Sequence, residues 1–354
     1  MIDPVSFLVL ILVSVSMAHL TPRNKWTRLV WLTAPGVLLI FIVHPLALLF
    51  SFFCFVFSMA IFVIGRITNN SQRRSILPYL ILTLLFAPKL LFESSPILWL
   101  GSAFFIVRQM ITVSNSIKKK AEISDFISAL ILATYNYTSV PSGPIFDGLN
   151  IWDQLKKNSV PNYSEGIFRT FEGFVYLFAI SGFVNIALSN AKYAYAISPN
   201  SNWLNIFLNQ GVTSLIAFIF LFCSFYGYSR IAEGSAMLFG FEVPENFNKP
   251  HMARDIADFW KRWHRSMADF VMQYLYLPLL VYTSKPKLAL VLAFIFMGAW
   301  HELSLGFLFW GLFHGLALAF FLPWSLRKKV WPSIVRILSL AYVVALSSVA
   351  HGVF

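Results

Sequence analysis

"FIFMGAWHELSLGFLFWGLFHG", Phe294 to Gly315, decides the fold. Two apolar runs meet near His301 and Glu302, and a further histidine, His314, stands inside the second run. Each run has the composition of a membrane helix, and ionisable groups there are costly, about 2.5 to 3.5 kcal/mol or more at the midplane when charged. Such groups are functional candidates that face a cavity. His314 reads equally well as a packing residue, because a neutral imidazole costs far less than an ion. On one continuous helix His301 and His314 would lie roughly 20 Å apart on opposing faces. They share a site only if the chain turns at Ser304 to Gly306.

The composition agrees with a bilayer as solvent. Of 354 residues, 58% are hydrophobic and 12% charged, against roughly 45 to 50% and about 25% in soluble domains. The formal net charge is +12, yet Lys and Arg fall in short loops between apolar runs. That is the positive-inside pattern of a polytopic membrane protein and not a nucleic-acid footprint. Cys54 and Cys223 both sit within apolar runs, which leaves neither a disulfide framework nor a CxxC metal site. His301-Glu302 is followed by Leu305 where the H-E-x-x-H zinc pattern requires its second histidine, so no metal is expected.

Spans of about 20 apolar residues are expected at Pro4 to Leu20, Leu29 to Val43, Pro45 to Ile64, Leu77 to Phe92, Pro96 to Val113, Gly166 to Asn190, Trp203 to Tyr226, Leu288 to Ser304, Leu305 to Pro323 and Ile334 to Phe354. The first lacks a basic leader and a small-residue cleavage site, and reads as a retained helix. With the N-terminus outside, the basic clusters Arg23/Lys25/Arg28, Arg66/Arg73/Arg74, Lys118 to Lys120 and Arg327/Lys328/Lys329 all face the cytoplasm. This holds only if Ile123 to Val140 and Met267 to Thr283 do not cross. Both read as re-entrant or interfacial, and broken backbone at membrane depth requires burial in protein or a water-filled cavity. The expected fold is therefore all-α and polytopic, with about ten transmembrane helices and re-entrant segments around a central tunnel or cavity. A single membrane-embedded domain is expected over residues 1–354, with residues 1–120 peripheral.

The longest polar stretch follows Tyr226: "GYSRIAEGSAMLFGFEVPENFNKPHMARDIADFWKRWHRS", Gly227 to Ser266. Pro and Asn in Pro244 to Pro250 favour turns. From Ala253 a helix is expected, with Ile256, Phe259, Trp260 and Trp263 as an apolar stripe and Arg254, Asp258, Lys261, Arg262 and Arg265 mostly elsewhere. A basic amphipathic helix at the cytoplasmic interface explains this pattern but leaves His264 without a role.

The motifs "FYGYSRIAEG", "LFGFEVPENFNKP", "DFWKRWH", "QYLYLPL", "MGAWHELS" and "LFWGLFHG", with "SGPI" at Ser142 to Ile145, resemble the membrane-bound O-acyltransferase family. The likeness is to its bacterial branch of alginate O-acetylases and teichoic acid D-alanyl transferases. It covers about the C-terminal two-thirds of the chain, residues 121–354, while the N-terminal third matches only in hydropathy. The resemblance implies that His301 is catalytic and that His264 positions or polarises a substrate. Departures are Glu302 after His301, where bacterial relatives carry glycine, and Ser224 and Arg230 in place of two aspartates.

Acyl transfer from a thioester to a hydroxyl requires a base, and neutral histidine is available near physiological pH. Oxyanion donors are to be sought among His264, tryptophan indoles and Asn246. Arg262, Lys261 and Arg265 suit the phosphates of coenzyme A or of a carrier-protein phosphopantetheine arriving from the cytoplasm. Trp263, Trp300, Glu302 and Tyr274 complete the expected substrate- and donor-binding set. The implied cofactor is the thioester donor itself. Implied partners are membrane lipids, an acyl carrier protein and envelope-biosynthesis proteins, and the implied location is the cytoplasmic membrane. A transporter or channel would also use broken helices and midplane charges, although no inverted repeat is evident. A degenerate family member acting as a scaffold is the third reading.

Overall fold

The computed structural model describes residues 4–20, 24–43, 45–85, 102–139, 143–196 and 203–327. The expected span at Ile334 to Phe354 lies outside these residues, as do parts of Leu77 to Phe92 and Pro96 to Val113 and residues Arg23, Ser142, Lys328 and Lys329. All regular structure among the described residues is helical. Among the described residues, four helices are long and apolar enough to cross a membrane: Lys25–Ile42, Pro45–Ile67, Tyr163–Lys192 and Gly211–Leu238. Shorter apolar helices occupy Val9–Leu20, Ile123–Tyr135, Pro286–His301 and Leu305–Phe320. The chain is an all-helical, multi-pass membrane protein.

Two compact units make up the chain, one of Met1–Phe174 with Tyr228–Pro244 and the other of Val175–Gly227 with Glu245–Phe354. In the first, glycines allow close backbone approach: a Cβ at Gly36 would strike the carbonyl oxygen of Tyr135, and one at Gly148 that of Ala129. Ile123–Tyr135 ends short of Val140 and passes into a 3-10 turn, Tyr137–Ser139. The fully buried Arg108 donates to the Ser139 carbonyl at 2.9 Å, with its guanidinium over Phe146 at 5.0 Å.

The polar stretch that the sequence places after Tyr226 is helical as far as Leu238. Its charges explain the difference. Arg230 bonds Glu172 at 2.6 Å and Glu233 at 3.0 Å, and Arg169 reaches the same Glu233 oxygen at 3.2 Å. Glu233 is 3% exposed, so its charge is tolerable only because two guanidinium groups converge on it. Arg230, one of the two departures in the aspartate motif, is thus held in a buried ionic cluster.

In the second unit, Pro286–His301 and Leu305–Arg327 form a hairpin. Small residues set its spacing, as is usual where membrane helices touch. A Cβ at Gly298 would collide with the Phe307 carbonyl oxygen, one at Gly311 with that of Phe294, and one at Gly315 would stand 2.8 Å from Val291 Cα. Gly182, in Ser181–Ala196, has nothing within 4 Å of an added Cβ. Gly298→Ala is therefore expected to destabilise by about 1 to 3 kcal/mol through overpacking. Gly182→Ala should be neutral or stabilise by up to about 1 kcal/mol. Thermal unfolding of the purified protein in detergent reads both, and equal shifts would refute the close hairpin contact.

Candidate active site

The helix expected from Ala253 is shorter and broken. Asp255 caps Ile256–Arg262 by accepting the Asp258 N–H at 2.8 Å, after which Trp263 is extended and His264 is left-handed, φ 45° and ψ 55°. A new helix, Arg265–Phe270, then runs into a π-helical turn, Val271–Tyr276, and on through Leu277–Thr283. Left-handed backbone at a non-glycine residue costs about 1 to 3 kcal/mol and persists only where the surroundings enforce it. Here the Asn246–Asn248 loop does so. Asn248 N–H donates to the Arg262 carbonyl at 3.0 Å and Arg265 N–H to the Asn246 carbonyl at 2.8 Å, one on each side of the kink. The fully buried Asn246 side chain also accepts from the Ser266 hydroxyl at 2.6 Å.

The kink places the His264 ring edge-on to Phe225 at 4.7 Å and 6.3 Å from Trp300. Its neighbour Trp263 stacks between Phe218, at 5.4 Å, and Phe259, at 5.5 Å, with Phe247 edge-on at 5.1 Å. His264 is 6% exposed. Burial, reinforced by the proximity of His301, lowers its pKa from 6.5 to about 3. The ring is therefore neutral at physiological pH.

His301 ends its helix, and the chain turns through residues 302–304, just ahead of the expected Ser304 to Gly306, so that both His301 and His314 contact Trp310. Trp310 lies 5.5 Å from the His301 ring and 4.5 Å from His314. Phe307 stacks on His301 at 5.7 Å, and Trp300 sits 4.7 Å away. His301 itself is exposed, whereas His314 is fully buried between Trp260, at 5.2 Å, and Trp310.

A cavity of about 560 Å³ is lined by both His264 and His301. Trp263, Lys261 and Arg265 from the expected set also line it. The other expected residues do not. Arg262 is held by Asp258 at 2.9 Å and by the Asn248 carbonyl at 3.2 Å, so it braces the kink. Asn246 acts on the loop side of the same brace. Trp300 is buried between the two histidine rings, Glu302 is exposed beyond the helix end, and Tyr274 is buried against Phe270 at 5.6 Å. Tyr276 lines the cavity instead.

Sequence reading missed Trp260, Asp269, Met272, Phe307 and Trp310 as lining residues. A signal for some of them existed. Arg265, Ala268, Asp269, Met272 and Tyr276 recur at near-helical spacing, and all five face the cavity.

A family model, membrane-bound O-acyltransferase, matches residues 2–329. The chain is 29% identical over 237 residues to a teichoic acid D-alanyltransferase of Bacillus subtilis, covering 62% of this chain and 58% of that protein. It is 31% identical over 191 residues to a peptidoglycan O-acetyltransferase of Helicobacter pylori, covering 51% and 34% respectively. It is also 30% identical over 143 residues to a probable alginate O-acetylase of Pseudomonas aeruginosa, covering 39% and 25%. In each case the match spans less than two thirds of the relative's own length.

Proposed function

This chain belongs to the membrane-bound O-acyltransferase family, and on that premise we propose that it transfers an acyl group from a thioester to a hydroxyl of a cell-envelope polymer. The observation that carries the reading is that His264 and His301 line the same cavity.

In this mechanism His301 accepts the acceptor's hydroxyl proton as the oxygen attacks the thioester carbonyl. The tetrahedral intermediate then expels the thiolate, which recovers the proton from His301. Ester bond formed, thioester bond broken and proton returned balance the step. Neutral His264 orients the reacting groups. The Trp260 indole N–H is buried without a hydrogen-bond partner, and Trp260 also lines the cavity. A buried donor left unsatisfied costs about 1 to 3 kcal/mol, which a developing oxyanion would relieve. Lys261 and Arg265 are the cations on the cavity wall and the ones suited to the donor's phosphates. The donor is coenzyme A or a carrier-protein phosphopantetheine from the cytoplasmic side, the acyl group acetyl or D-alanyl, and the setting the cytoplasmic membrane with the N-terminus outside.

The test is to reconstitute the full chain in vesicles and supply radiolabelled acetyl-coenzyme A or a D-alanyl carrier-protein thioester. Thiol release with label fixed on a hydroxylated acceptor is the expected result. Solute uptake without thiol release would replace this reading with a transporter.

A further inference from the structure

His314 has no part in the mechanism above and does not line the cavity, yet it sits directly behind the cavity's aromatic wall. Its ring lies 4.5 Å from Trp310, 5.2 Å from Trp260 and 6.4 Å from Phe294, and all three of those rings line the cavity. Trp260 and Trp310 also meet each other edge-on at 5.9 Å. Backbone contacts fix where the imidazole stands. His314 lies between Gly311 and Gly315, where an added Cβ would strike the Phe294 carbonyl oxygen or come within 2.8 Å of Val291 Cα. The Leu305–Arg327 helix is thus seated hard against Pro286–His301 at the level of this ring.

The same helix carries the rings that orient His301. Phe307, Trp310 and His314 are spaced i, i+3 and i+7, so they share one helix face. Phe307 stacks on the His301 ring at 5.7 Å with 24° between the planes, and Trp310 stands edge-on to it at 5.5 Å and 82°. His301 is exposed at the end of its own helix, where few other neighbours constrain its side chain. Helical side chains lean toward the N-terminus, so the His314 ring backs the Trp310 ring one turn before it. Trp310 therefore lies between His314 and the turn that carries His301, and it cannot tip away from His301 unless His314 yields. Packing alone would accept any residue that fills the space, whereas this chain of contacts requires a flat ring.

We propose that His314 is a positioning residue for acyl transfer: through Trp310 it holds the His301 ring in the orientation that receives the acceptor's proton. The inference rests on the acyl-transfer reading and adds to it a residue outside the cavity. In this role His314 exchanges no proton and touches neither reacting group. Its loss should slow the chemical step, which depends on where the base stands, and leave donor binding by Lys261 and Arg265 in place.

The test uses the full-length protein in vesicles with acetyl-coenzyme A or the D-alanyl carrier-protein thioester as donor. His314→Ala is expected to lower kcat by about tenfold or more with KM within about twofold, since a displacement of about 1 Å far from the chemistry can cost up to about 10²-fold. His314→Phe, which keeps a flat ring behind Trp310, should recover most of that loss, and His314→Leu, which fills the space without one, should not. In a Trp310→Ala background His314→Ala should cost little further, because residues that act through one another are not additive. Unchanged kcat in His314→Ala, equal activity of the Leu and Phe variants, or an additive loss in the double variant would overturn the proposal while leaving acyl transfer standing. Should His314→Ala fail to fold, the comparison of Leu with Phe decides in its place. If the unmodified protein turns over no thioester, acyl transfer fails and a local readout decides: carbethoxylation of His301 by diethyl pyrocarbonate, measured by mass spectrometry against the exposed His251. Release of Trp310 should raise the His301-to-His251 ratio in His314→Leu and not in His314→Phe, and equal ratios in the two variants would reject the positioning role.

Discussion

His301→Ala is expected to reduce acyl transfer by about 10³-fold while leaving the protein folded. The size follows from the role: without a base the attacking hydroxyl keeps its proton through the transition state, and general-base contributions run from about 10² to 10⁴. Folding should survive because the ring is exposed at the end of Pro286–His301 and lines a cavity rather than filling a packed core. The comparison is made on reconstituted protein at matched quantities, with thermal unfolding as the check on integrity. Thiol release near the unmodified rate would remove His301 from the chemistry.

The second large effect concerns His264, where ring and backbone can be separated. His264→Ala is expected to lower transfer by about 10²-fold or more, the usual scale for losing a preorganised polar group. Part of any such loss could come from alanine in a left-handed conformation, φ 45°. His264→Gly removes that objection, because glycine accepts the conformation freely. Both variants should therefore be similarly impaired. His264→Asn should stay within about tenfold of the unmodified protein, since asparagine tolerates left-handed backbone and offers a polar group without a titrating ring. Full activity in His264→Gly would show that only the kink matters.

Acid sensitivity offers a further reading of the same residue. The folded protein holds His264 at about 3 against an ordinary 6.5. Between those values the unfolded chain binds a proton that the folded one refuses. Stability therefore rises with pH through that window: the contribution is intact above about 6.5 and is lost as pH falls toward about 3. His264→Asn should flatten this part of the stability profile. Its rate profile should keep the shape seen in the unmodified protein, because the ring it removes does not titrate near neutrality.

Hydropathy and loop charge were sufficient to read an all-helical membrane protein; of the two segments read as re-entrant or interfacial, the first holds the regular helix Ile123–Tyr135 and a 3-10 turn, and the second contains the π-helical turn Val271–Tyr276. The break at Trp263 and His264 was not legible. Its stripe of Ile256, Phe259, Trp260 and Trp263 has unbroken helical spacing, and the kink is imposed by Asn246 and Asn248, bonds made by a segment some 15 residues upstream. The same cause moved Arg262 from the expected phosphate-binding set to the brace. The helix through Arg230 to Leu238 was hidden because its charges look like a solvated loop until Arg169, Glu172 and Glu233 are seen together. The two compact units interleave along the chain, so no composition change marks their limits. His301 stood out as an ionisable group at the junction of two apolar runs, and His264 as the residue that a basic amphipathic helix left without a role.

The account's central claim is that the thioester reacts inside the cavity onto which His264 and His301 open. A cryo-electron microscopy structure of the full chain with an unreactive acyl-pantetheine analogue, its sulfur replaced by methylene, tests this most directly. Density is expected in that cavity, with the acyl carbonyl within about 3.5 Å of where an attacking hydroxyl bonded to His301 would sit. An analogue bound elsewhere, with the two imidazoles untouched, would contradict it.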